Sequence, residues 1–85
     1  MWYVYILKCS DGGIYTGCTS DINDRIHRHQ SGYVSATKNR LPVESITYVA
    51  FTDKYKAFEF EKYLKGGSGR AFIQRHFLKE YQVAE

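Results

Sequence analysis

The sequence predicts a single α+β domain, and three observations carry that prediction. Its 85 residues leave room for one modest core. Three runs are aromatic and β-branched in the manner of strands. The segments between and after them carry helix caps or apolar spacing near 3.6 residues.

Residues Trp2 to Lys8, "WYVYILK", are apolar on both alternating sets, Trp2, Val4 and Ile6 against Tyr3, Tyr5 and Leu7. A strand that needs cover on both faces is central in its sheet. Ser10-Asp11-Gly12-Gly13 is a strong turn signal, and Ile14 to Cys18 resumes β-like composition, so the two runs form a hairpin. Ser20 or Asp21 can then cap a helix with apolar positions Ile22 and Ile26 that ends near Gly32. Arg25 and His29 are four apart and share one face of it.

Tyr33 to Leu41 is polar, basic and without periodicity, and reads as a loop long enough for a binding role. Pro42 closes it before a strand from Val43 to Phe51. Asp53 caps a second helix reaching about Lys65, which the glycines of Gly66-Gly67-Ser68-Gly69 should break. A last helix, roughly Arg70 to Lys79, offers Phe72, Ile73, Phe77 and Leu78 for packing.

Composition narrows the function classes. Hydrophobic residues make up 44% and proline occurs once, which excludes a disordered chain. No apolar run approaches the roughly 20 residues that a membrane span requires. Cys9 and Cys18 lack the repeated Cys/His spacing of a structural zinc site. With no signal peptide, they are expected as reduced thiols in a cytoplasmic protein.

The net charge of +3 is only mildly basic, but its distribution is uneven. No acid occurs from Arg25 to Val43, a stretch that holds Arg28, Lys38 and Arg40, and none from Lys62 to Lys79. Two basic segments in one small domain can form a phosphate-facing surface or a merely solvated face.

On the second helix, Ala57, Phe60 and Leu64 define the apolar stripe, and Glu61 falls at its edge. An acid there needs a compensating partner, either a salt bridge to Arg25 or a lysine, or a metal ion. Tyr5 and Tyr15 taken singly read as packing residues with satisfied hydroxyls.

Taken together, Tyr5, Tyr15, Gly17, Arg25, His29 and Glu61 follow an ordered pattern that resembles the GIY-YIG nuclease family across nearly the whole chain. The literal letters Gly13-Ile14-Tyr15 are out of register with it. In the family the first motif lies on the first strand, here reduced to Tyr3-Val4-Tyr5, and Tyr15-Thr16-Gly17 matches the second. "TSDINDRIHRHQSG" is similar to the family's first helix, with its arginine at Arg25 and its aromatic or histidine at His29. "AFEFEKYLK" resembles the second helix, whose metal-binding glutamate falls on Glu61. Where excision-repair members carry a lysine after this glycine, this chain has Cys18.

The resemblance implies a small three-stranded antiparallel sheet flanked by helices, a single domain over residues 1–85, and a Mg²⁺- or Mn²⁺-dependent endonuclease. Magnesium binds through one or two carboxylates plus substrate phosphate, so Glu61 suffices as its protein ligand. Arg25 would contact the scissile phosphate with its planar donor fork. Tyr15, rather than Tyr5, would take the proton from the attacking water, a phenol of ordinary pKa about 10 needing help from nearby groups. Gly17 would let backbone approach this cluster closely. Arg28, Lys38 and Arg40 would touch backbone phosphates. The expected substrate is branched, nicked or flapped DNA in repair or recombination, with or without a targeting protein partner. A binding module without catalysis and a purely structural Glu61–Arg25 pair are the competing readings.

Overall fold

In the computed structural model, which describes residues 1–79, the chain runs β1 (Trp2–Lys8), β2 (Ile14–Thr19), α1 (Ile22–Gln30), β3 (Glu44–Phe51), α2 (Lys54–Lys65) and α3 (Gly67–Ile73). A π-helical turn, Gln74–Leu78, follows α3. The remaining six positions of the expected 1–85 domain lie outside the described residues.

The strands form one antiparallel sheet in the order β2-β1-β3, so β1 is central and β2 and β3 are edges. Central placement answers the two-sided apolar pattern of β1. Val4 and Ile6 point to one face, where they pack with Ala57 and Leu64 of α2 and Ile73 of α3. Tyr5 and Leu7 point to the other, packing with Val43 and with Ile22 and Ile26 of α1. Helices therefore cover both faces. Each fully buried aliphatic side chain here, such as Ile6 or Leu64, contributes about 1.5–3 kcal/mol relative to exposure.

Local chemistry sets the element ends. Of the two candidate caps of α1, Asp21 is the one used, its Oδ1 accepting from Asp24 N at 3.1 Å. Gly32 ends that turn with φ +81°, a left-handed conformation that glycine adopts without a steric penalty. Asp53 caps α2 by accepting from Tyr55 N at 2.8 Å.

Two expectations are corrected. The glycines after α2 do not form a four-residue break, because only Gly66 separates α2 from α3. At Gly69 a Cβ would overlap the Tyr63 carbonyl and the Leu64 Cα, so this glycine lets α3 cross the end of α2 at close range. The final helix accordingly begins at Gly67 rather than Arg70, and changes to π-helical pitch at Gln74. The 33–41 segment is a chain of bonded turns, with Thr37 N and Lys38 N both donating to the Val34 carbonyl at 3.1 and 2.9 Å. No helix among the described residues is long and apolar enough to cross a membrane.

Candidate active site

The pairing of β1 with β2 places Tyr5 directly opposite Gly17. The tyrosine ring lies across that glycine, and a Cβ at position 17 would overlap its hydroxyl. Gly17 is thus the position that gives Tyr5 its place. Tyr15, two residues earlier on the same face of β2, has its ring 6.2 Å from that of Tyr5.

His29 enters from the last turn of α1 and is fully buried. Its Nε2 lies 2.9 Å from the Tyr5 hydroxyl and its Nδ1 lies 2.8 Å from Thr37 Oγ1, while its ring packs 4.8 Å from that of Tyr15. A neutral imidazole donates at one nitrogen and accepts at the other, and two hydroxyls can serve it in either tautomer. Burial, then the nearby Arg25 charge, lowers the His29 pKa below the ordinary histidine value and favours that neutral form. Burial, followed by the Tyr15 neighbour, holds the Tyr5 phenol well above its usual range, with Arg25 opposing.

Thr37 is fully buried, and nothing in the sequence singles it out. It sits in a polar segment without periodicity, eight residues from His29. The only available signal was indirect: a buried histidine needs a partner on each nitrogen.

Arg25, one turn before His29, is half-buried and forms no ion pair among the described residues. Its charge acts on both Tyr5 and His29. Glu61 approaches from α2, on the opposite side of the sheet, and its charge raises the pKa of both Tyr5 and Cys18. The Glu61 carboxylate is 24% exposed and pairs with Lys65 Nζ at 3.4 Å, one turn along the helix. The Glu61–Arg25 bridge of the structural reading is not formed.

The three cations expected on phosphates differ in their surroundings. Arg28 Nε is 3.0 Å from Asp24 Oδ2 on the exposed face of α1. Arg40 grips Asp11 with two bonds, Nε to Oδ2 at 2.7 Å and Nη2 to Oδ1 at 3.1 Å, tying the 33–41 segment to the hairpin turn. Lys38 is exposed and has no carboxylate partner among the described residues.

Among the described residues no three His, Cys, Asp or Glu side chains gather into a metal cage. The half-buried Glu61 carboxylate, on α2 and bridged at its rim by Lys65, does fit magnesium, which keeps several waters and takes its remaining ligands from substrate.

Two tyrosines on a two-stranded hairpin, a buried histidine in ring contact with both, and the charges of Arg25 on α1 and Glu61 on α2 acting on Tyr5 make up one polar cluster, and the family of the chain gives its class. The chain matches the GIY-YIG catalytic domain model over residues 1–76 and belongs to the GIY-YIG family, which implies nuclease-type activity. Its relatives include UPF0213 proteins of similar length. One from Streptococcus agalactiae is 37% identical over 87% of this chain and 89% of its own. Another, from Halalkalibacterium halodurans, is 42% identical over 91% and 83%. The solution NMR structure of the UPF0213 protein from Bacillus halodurans superposes with a TM-score of 0.57 at 40% identity, covering 88% of this chain and 82% of that one.

Proposed function

We propose that this chain is a divalent-metal-dependent endonuclease that hydrolyses phosphodiester bonds in branched, nicked or flapped DNA. The observation that carries this reading is the half-buried Arg25, with no carboxylate partner among the described residues, whose charge acts on Tyr5 and His29 of the buried Tyr5–His29–Thr37 chain. A partly desolvated cation calls for an anion, and the planar fork of arginine matches two phosphate oxygens.

The two tyrosines take different roles. Tyr5 is 1% exposed, bonded to His29 and held in its protonated form, which suits a positioning group. Tyr15 is half-buried where Tyr5 is sealed, so it is the phenol assigned to take the proton of the attacking water. His29, bonded at both nitrogens, holds Tyr5 and packs against the Tyr15 ring, fixing the orientation of both. Arg25 binds the scissile phosphate and aligns it for in-line attack. Glu61 would hold Mg²⁺ or Mn²⁺, which supplies charge stabilisation at the phosphate and the leaving oxygen.

So small a domain has little surface for reading base sequence, which favours recognition of distorted structure, by itself or with a targeting partner. Two free cysteines suit a reducing compartment, and we assign the activity to cytoplasmic DNA repair or recombination.

The test is cleavage of labelled flapped, nicked, branched, single-stranded and duplex DNAs with Mg²⁺ or Mn²⁺ by wild type, Tyr15→Phe and Glu61→Gln. Metal-dependent cutting by wild type and its loss in both folded variants is the expected result. Cutting that persists in both variants would sink the assigned site, and binding without cutting by wild type would favour the non-catalytic module.

A further inference from the structure

Beside Tyr15, between the free edge of β2 and the junction of α2 with α3, lies a cavity of about 450 Å³. That volume is in the range of small-molecule sites. Its walls are chemically mixed. Ile14 supplies apolar wall over a floor of the core residues Leu64 and Ile73, while Lys65, Arg70 and Arg40 bring cations to the rim.

The sheet adds main-chain groups to this lining. The Cys9 N–H bonds the Gly13 carbonyl at 2.8 Å, and the paired register runs from there through Leu7↔Tyr15 and Tyr5↔Gly17. Bonded and non-bonded pairs alternate in an antiparallel ladder, so the intervening Ile14 and Thr16 turn their N–H and C=O groups away from β1. Since β2 is an edge, no strand among the described residues takes them up. Both residues line the cavity.

We propose that this cavity receives one unpaired nucleotide of the substrate, next to the phosphate held at Tyr15 and Arg25; the word substrate here rests on the nuclease reading above. A nucleobase has a flat apolar face for Ile14, Leu64 and Ile73, and a hydrogen-bonding edge for the outward backbone of Ile14 and Thr16. In a duplex that edge is occupied by its partner base. The nucleotide phosphate meets Arg70, which forms no ion pair among the described residues. Arg40 and Lys65 are already tethered to Asp11 and Glu61, so they shape the rim more than they add net charge. The pocket thereby supplies a physical reason for a preference for flaps, nicks and loops over intact duplex.

The experiment is an amide NMR titration of the full chain with thymidine 3′,5′-bisphosphate, in parallel with inorganic phosphate, without divalent metal. Binding in the cavity shifts the amides of Ile14, Thr16 and Arg70 in a saturable way. Arg70→Gln should weaken it about fivefold or more, as expected for loss of a charge-assisted bond. Gln74→Trp, an exposed rim position facing the same space, should block it. Inorganic phosphate should leave the Ile14 and Thr16 amides unmoved. No shift at these amides, or equal shifts with inorganic phosphate, or shifts indifferent to both variants, would overturn the pocket. Cleavage is scored separately: cutting without these shifts refutes the pocket and spares the nuclease reading, whereas these shifts without cutting do the reverse.

Discussion

His29 Nε2 lies 2.9 Å from the Tyr5 hydroxyl, and both groups are inaccessible to solvent. That bond spans 24 residues and joins the last turn of α1 to the central strand. It couples the stability of the domain to the geometry of the site.

Removing the Tyr5 hydroxyl leaves a buried imidazole nitrogen without its partner. Tyr5→Phe should therefore cost about 1–3 kcal/mol in chemical denaturation. Tyr15→Phe, at a half-buried ring, should cost under about 1 kcal/mol while abolishing cleavage. Equal stability losses in the two variants would contradict the division of roles.

Gly17→Ala places a methyl where the Tyr5 hydroxyl and ring now lie. The expected cost is about 1–3 kcal/mol from overpacking, with cleavage falling as the tyrosine is displaced. Combined with Tyr5→Phe, part of that cost should be shared, because the hydroxyl is one of the atoms struck. A double-mutant cycle with strict additivity would count against this contact.

Two opposed shifts set a stability window in pH. His29 is held below its ordinary pKa, so the unfolded chain binds this proton more readily than the folded one. Its contribution is full above about pH 6.5 and is lost as pH falls through the folded-state value. Tyr5 is raised, so its contribution is full below about pH 10 and is lost as pH rises toward the folded value. Denaturation midpoints should plateau between these limits, with His29→Gln flattening the acid limb and Tyr5→Phe weakening the alkaline one.

Replacing Arg28, Lys38 and Arg40 together should weaken DNA binding and flatten its dependence on salt. Singly, Lys38→Gln should lower the salt slope by about 1. Each arginine should contribute less, since Asp24 and Asp11 already neutralise them. Filter-binding or fluorescence titrations over a salt series measure the slopes, and an unchanged slope in the triple variant removes these contacts.

The pair Glu61–Lys65 is an exposed-type i,i+4 bridge, worth about 0.3–0.5 kcal/mol. Glu61→Gln should accordingly leave the denaturation midpoint nearly unchanged while eliminating metal-stimulated cleavage. A severe stability loss would instead place Glu61 in a structural role.

The sequence by itself determined the three strands, α1, α2 and the central place of β1. Alternation along Trp2–Lys8, the turn at Ser10–Gly13 and the capping aspartates are relations within a few residues, and local sterics and hydrogen bonding act at that range. It also marked Glu61 as an acid beside an apolar stripe. Only the tertiary structure decided which tyrosine is sealed and which is reachable, because that depends on how α1 docks on the sheet. The same holds for the Thr37 bond to His29, the Arg40 clamp on Asp11 across 29 residues, and the close crossing at Gly69. Glycine and arginine carry the same local signal whether they break a helix or let one pass, bind phosphate or bind a carboxylate. What lies opposite them is fixed by packing, and packing is a property of the whole chain.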